Sequence, residues 1–327
     1  MSFIAVLFAL LLEQARPLGK GNPVHASLRA WVLWTSRNFD AGKSLHGWLA
    51  WGFAVGVPSL GALGIYWLLD VFLGWPLAVL WSVAVLYTTL GFRQFSFHFT
   101  QIRDALADGD EDLARQLLAS WQQLDASELP RIEVVRSVME HSVLSAHRHV
   151  FGVLACFSVL AAFGFGPAGA VLYRLSEFVV RYWRHKSRVN HQPVSDALLQ
   201  AASQAWVAID WLPARITAIS FAFVGSFEEA IDGWRSYNAR YPGDNDGIIL
   251  AATAGAAGIK LGGGAGSGGA FEKNHSTATV SERLSNDASV SQTPELAHLS
   301  VIVGLVWRTV VMWMVLLALL TLARLLG

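Results

Sequence analysis

Cysteine is almost absent from this chain: its 327 residues hold one, Cys156, inside an apolar run. A lone thiol can build neither an intrachain disulfide nor a Cys-based zinc cage, so Cys156 reads as a packing residue. Charge is scarce as well, at 15% of residues, where soluble domains carry about 25%. What charge there is cancels, with 24 acids against 24 Lys plus Arg. No general attraction to polyanions remains, and no nucleic-acid partner is expected.

Motifs of soluble nucleotide and metal enzymes are missing too. "DAGKS" at 40–44 resembles the end of a Walker A loop, but position 37, where its first glycine belongs, is Arg37. "GIKLGGGAGSGG" at 258–269 has no Gly-Lys-Ser/Thr and no strand-forming run before it. It is neither a P-loop nor a dinucleotide fingerprint. Acidic "DGDEDL" at 108–113 has its glycine in the wrong place for a calcium loop and lacks the closing Glu, so it reads as a solvated helix start. His141, His147 and His149 lack the i,i+4 pair and glutamate of a helical zinc site and read as interfacial histidines.

What the chain has is apolar length. It is 54% hydrophobic with a mean hydropathy of +0.42, and it carries 14 Trp and 18 Phe. A spanning helix needs roughly 20 apolar residues. Candidate spans are Trp48–Leu69, Val71–Gly91, Val150–Gly164 with Pro167–Val180, Ala205–Phe223 and Ser300–Leu322. Gly74 with Pro76, and the turn Gly164–Pro167, should fold two pairs into hairpins. "DWLPAR" interrupts 205–223, so that segment is expected to be broken or re-entrant at Pro213. Ser2–Leu12 lacks a basic leader and a small-residue cleavage site, and is expected as a retained helix too short to span.

The expected fold is therefore all-α: a multi-pass membrane helical protein with re-entrant or broken helices and cytoplasmic loops, in a bacterial inner-membrane bilayer. Residues 1–92 form an N-terminal membrane part and 93–148 an amphipathic helical cytoplasmic insert. Membrane helices occupy 149–247, a Gly-rich segment and polar loop 248–299, and a terminal transmembrane helix 300–327. Within the insert, two helices should meet at Asp108-Gly109-Asp110, with Leu113, Leu117 and Leu118 lining one face of the second. The basic stretches 14–46 and 181–204 are expected on the cytoplasmic side.

Four segments in order resemble the CobD/CbiB family of cobalamin-biosynthesis membrane proteins. They are "GNPVHASLRAW" (21–31), "ALADGDEDLARQLLASW" (105–121), "FGPAGAVLYRL" (165–175) with "IDWLPARITAISFAF" (209–223), and "NDGIILAATAGAAGIKLGG" (245–263). The resemblance implies ATP-dependent amide ligation of an aminopropanol or its phosphate to adenosylcobyric acid, hence ATP, magnesium and a corrinoid substrate. The chain departs from the family pattern at "EHSVLSAHRH" (140–149), at "LSEFVVRYW" (175–183) and before Pro213, where acidic and amide residues are missing. A second resemblance, of 198–234 to the AmpE branch of the superfamily, implies a non-catalytic membrane signalling or accessory role.

Under the ligase reading, Arg215, Lys260 and Asp210 are the candidate catalytic residues, with the two cations neutralising phosphate charge. Gly258, Gly262, Gly263 and Asn245 are candidates for holding the nucleotide, since a glycine-rich loop presents backbone N–H groups to phosphate oxygens. Asp210, Glu177 and Asp246 are candidate metal ligands. Each has a plainer reading. Lys260 can snorkel at the membrane edge, Gly255 and Gly258 can serve helix packing, Arg215 can pair with Asp210, and Arg174 can pair with Glu177 three residues on. If the ligase reading holds, Arg215, Lys260 and the Gly262 loop should converge on one cavity.

Overall fold

The computed structural model describes residues 2–16, 23–122, 126–189, 194–261 and 293–326. Helices make up its regular structure, and no strand occurs among the described residues. In chain order they are α1 (Ser2–Ala15), α2 (Pro23–Phe39), α3 (Ser44–Leu73), α4 (Trp75–Thr89), α5 (Phe92–Ala107) and α6 (Glu111–Gln122). There follow α7 (Arg131–Ala162), α8 (Ala168–Val189), α9 (Asp196–Val224), α10 (Phe227–Arg240), α11 (Asn245–Ala257) and α12 (Leu296–Leu326). Helices α3 and α7 each contain one wide π-turn, at Gly52–Gly56 and His147–Phe151.

Four helices are long and apolar enough to cross a bilayer: α3, α7, α9 and α12 up to Ala323. With its low charge, the chain is a multi-pass membrane protein. The expected spans shift in detail. Helix α4 has 15 residues, about 22 Å of rise against a hydrocarbon core of about 30 Å. The Pro167–Val180 segment lies on α8, whose Arg174, Glu177, Arg181, Arg184 and Lys186 remove it from the spanning set. Helix α1 is apolar and short, as expected of Ser2–Leu12.

Pro213 does not break α9. The helix runs 29 residues from Asp196 to Val224 with the proline inside it. A proline removes one N–H from the ladder, and helical bonds on both sides of it hold the remaining turns in line. The expected interruption is therefore one missing hydrogen bond in a continuous span.

The chain forms two compact units. The first comprises Met1–Gly91, Arg148–Pro213 and Leu316–Gly327. Its α3–α4 hairpin turns at Gly74, whose φ of 86° is a left-handed value that favours glycine. Trp81 Nε1 donates to the Ala62 carbonyl at 3.0 Å and ties the two arms. The end of α7 folds back on α8 through the Gly164–Pro167 turn, and the two approach so closely that a Cβ at Gly152 would strike Tyr173. Trp183 of α8, fully buried, donates to the Val32 carbonyl of α2 at 3.3 Å.

The second unit comprises Phe92–His147 and Ala214–Val315. Helices α5 and α6 meet at Gly109 as the sequence predicts, with φ 80°. The buried face of α6 is Ala114 and Leu118, while Leu113 stays 43% exposed. The end of α9, then α10, then α11 run up, down and up. Arg215 lies beside Asn245 at one end, and at the other the Ser226 amide donates to the Ala256 carbonyl at 3.0 Å. Gly225, Gly233 and Gly255 sit where these helices touch backbone to backbone: an added Cβ would strike Ala256, Ala251 and Glu229. Small residues are what membrane helices use for such approach.

Candidate functional site

Helix α11 organises the chemistry of the second unit. Asp244 caps its start, accepting from the Gly247 amide at 3.1 Å on Oδ1 and from the Tyr237 hydroxyl at 2.6 Å on Oδ2. An acid here satisfies an amide with no helical partner and faces the positive end of the helix dipole. Gly247 has to be glycine because a Cβ would strike the Tyr237 ring. Next to the cap, Asn245 is 6% exposed, and its Oδ1 accepts from Arg215 Nη1 at 2.9 Å. Two residues singled out from sequence, Arg215 and Asn245, are thus in contact.

The far end of α11 is built differently. Gly258 adopts φ 66°, ψ 27°, and its amide donates to the Gly255 carbonyl while that of Ile259 donates to Ala254. This is a left-handed helix cap. No atom crowds Gly258, so its requirement is conformational; Gly255 is the one that serves packing. Lys260 follows, partly buried between the fully buried Ile259 and Leu261. Gly262 and Gly263, the proposed phosphate cradle, lie outside the described residues.

The expected convergence of Arg215 and Lys260 is corrected here. Arg215 meets the first residue of α11 and Lys260 follows its last. The 13-residue helix between them is about 20 Å long. Lys260 is close in sequence to Asn245 only because the intervening residues are counted along a chain rather than along an axis.

Asp210 is corrected likewise. Its pairing with Arg215 required a break at Pro213, and α9 is continuous. Residues five apart on an α-helix differ by about 140° around its axis. Asp210, fully buried in the first unit, accepts from the Tyr173 hydroxyl at 2.8 Å. Glu177, 1% exposed, is paired with Arg174 at 2.8 Å, as the i,i+3 spacing predicts, and with Arg181 at 3.5 Å. Burial alone would raise the Glu177 pKa; the guanidiniums of Arg181, Arg174 and Arg148 outweigh it and hold the carboxyl below its usual range.

Asp210 and Glu177 belong to the first unit and Asp246 to the second, and no three His, Cys, Asp or Glu side chains gather as a metal site among the described residues. Among the described residues Glu177 is already held by Arg174 and Arg181 and Asp210 by Tyr173, and no chemical step is assigned to magnesium.

Three polar contacts escaped sequence reasoning: Tyr173 with Asp210, Tyr237 with Asp244, and His147 with Thr217 at 2.9 Å. His147 is fully buried. Only the Asp244 cap had a legible signal, an Asp directly before a helix-starting Asn-Asp-Gly run. The other two join residues 37 and 70 positions apart, and no local spacing reports such pairs.

Comparison with known proteins bears on the whole chain. The family model described as CobD/Cbib protein matches residues 3–296. A Stutzerimonas stutzeri protein named Cobalamin biosynthesis protein CobD is 29% identical over 324 residues, covering 96% of both chains. One of the same name from Chromobacterium violaceum is 35% identical over 193 residues, 58% of this chain and 57% of that protein's length. A third, from Leptospira interrogans, is 30% identical over 198 residues, 58% of this chain and 59% of that one. No solved structure matches. With its apolar helices, its ordered motifs and a family match running nearly end to end, the chain belongs to the CobD/CbiB family.

Proposed function

We propose that this membrane protein acts in cobalamin biosynthesis by joining an aminopropanol, or its phosphate, to a propionate carboxyl of adenosylcobyric acid. The observation that carries this reading is the similarity to the Stutzerimonas stutzeri CobD protein over 96% of both chains. Arg215 is the residue of this chain best suited to the substrate's anionic groups. Its planar guanidinium binds carboxylate and phosphate oxygens bidentately, and the buried Asn245 fixes its direction. The α11 start, fastened by Tyr237 and Asp244, gives that guanidinium a rigid support. ATP, when bound, would supply the phosphoryl group that activates the carboxyl for amide formation. Lys260 then serves a separate role beyond the Gly258 cap, toward the glycine run. The compartment proposed for the polar loops is the cytoplasm and the membrane proposed is the bacterial inner membrane, from the basic stretches 14–46 and 181–204.

A second reading, a non-catalytic accessory protein of the AmpE type, draws on one observation. Glu177 and Asp210, the acids nearest the departures from the family pattern, are engaged by Arg174, Arg181 and Tyr173. Complementation separates the two readings. A strain unable to make adenosylcobinamide phosphate should regain corrinoid-dependent growth with this chain and lose it with Arg215→Gln. No rescue despite membrane expression at the level of a rescuing relative overturns the ligase reading in favour of the accessory one.

A further inference from the structure

Apart from α11, the first unit carries a second cationic place that the ligase reading does not use. Helices α2 and α8 are joined by the hydrogen bond from Trp183 to the Val32 carbonyl. Lys186 follows Trp183 by three residues, and Arg37 follows Val32 by five. Three residues past the tryptophan, Lys186 lies on the face of α8 that meets α2, and Arg37 lies further along α2. Lys186 is 7% exposed, and Arg37 is exposed. Burial, then the Arg37 charge, push the Lys186 pKa down, and Asp40 pushes it back up.

Asp40 is the acid of this place, and backbone already occupies it. Its Oδ2 accepts from the Ser195 amide at 2.9 Å and its Oδ1 from the Gly42 amide at 3.3 Å. Neither Lys186 nor Arg37 has an ion-pair partner among the described residues. A covered ammonium beside a guanidinium is costly unless an anion reaches it. What lies next to the cations says which anion. Trp34 stands three residues before Arg37, stacks on Trp31 and meets Phe39 at 5.9 Å, and Phe39 stacks on Phe53 of α3 at 4.8 Å. Trp34 and Phe53 remain 47% and 42% exposed. A charged pair running into an exposed aromatic row is the complement of an amphiphile with an anionic head.

We propose that Lys186 and Arg37 hold the phosphate of an anionic phospholipid, with its acyl chains along Trp34, Phe39 and Phe53. The phosphate sits between ammonium and guanidinium, the pairing that bound lipid heads and phosphate esters share. The aromatic row commits the site to the lipid, since a soluble phosphate has no use for it.

The test uses the full-length protein purified in neutral detergent, followed by thermal unfolding and by mass spectrometry of retained lipid. Phosphatidylglycerol should raise the melting temperature and stay bound, whereas phosphatidylcholine and inorganic phosphate should do neither. Lys186→Gln and Arg37→Gln should each weaken retention about fivefold, the equivalent of about 1 kcal/mol per cation near a membrane surface, and Lys186→Arg should keep it. Equal stabilisation by phosphatidylcholine would overturn the proposal. So would equal stabilisation by inorganic phosphate, which would make the place a soluble-anion site. If Lys186→Gln does not fold, Arg37→Gln at its exposed position decides alone, and unchanged lipid retention there sinks the idea. Corrinoid activity is not the readout, so this result stands or falls apart from the ligase reading.

Discussion

The two ends of helix α11 solve the same problem, four backbone groups without helical partners, in opposite ways. At the start, side chains do the work: Asp244 takes the Gly247 amide, Tyr237 locks Asp244, and Asn245 reaches across to Arg215. At the finish, the backbone does it, with Gly258 curling left-handed to satisfy two carbonyls and leaving no side chain at all. The start thus fixes a guanidinium in direction, while the finish hands the chain on to Lys260. The glycines divide along the same line. Gly247 and Gly255 are there because neighbours leave no room for a Cβ, and Gly258 because of its φ.

That division can be broken by mutation, and the largest effect should come from the crowded positions. Gly255→Ala drives a methyl into the Glu229 backbone, where no side chain can step aside. It should destabilise the second unit by about 3 kcal/mol, read as a lowered melting temperature in detergent. A loss no larger than that of Gly258→Ala would erase the distinction between packing and conformational glycines.

Glu177, in the other unit, is a carboxylate fixed by two guanidiniums. Glu177→Gln should cost about 2 kcal/mol, less than a wholly buried pair because Arg181 is 47% exposed. Since the folded Glu177 pKa lies below the usual glutamate value, its contribution is complete above that value of about 4.3. It is lost as pH falls through the folded pKa. The wild-type melting temperature should therefore fall more steeply in acid than that of Glu177→Gln, and parallel pH profiles would remove the electrostatic account of this site.

Smaller effects should follow at the two caps. Asp244→Ala removes the cap and frees Tyr237, for a loss of about 1–2 kcal/mol, and should lower complementation by loosening Arg215. Gly258→Ala meets no atom and pays only for its left-handed φ, about 1 kcal/mol. Complementation by Gly258→Ala should stay near wild type. If it falls as far as with Asp244→Ala, the finish of α11 matters to function as much as the start.

Much of this arrangement was legible beforehand. The hairpin turns at Gly74 and Gly164–Pro167, the α5–α6 joint at Gly109 and the Arg174–Glu177 pair all rest on contacts within a few residues, which spacing reports directly. The failures share a cause. At Pro213 the sequence shows only a proline's local penalty, whereas the helical turns that carry α9 past it are set by the whole span. Arg215 and Lys260 are both cations near a glycine run in sequence, but the axial length of α11 stands between them.

Composition and periodicity alone determined that this chain is helical and that it lives in a bilayer, because burial of apolar length in lipid depends on residue type more than on neighbours; its ordered motifs carried the family resemblance. Only the tertiary structure decided which polar side chains meet. Asn245 received Arg215, Tyr173 received Asp210, and Lys260 was left at the far end, because contacts between distant residues depend on where helix axes run and how closely their glycines let them approach.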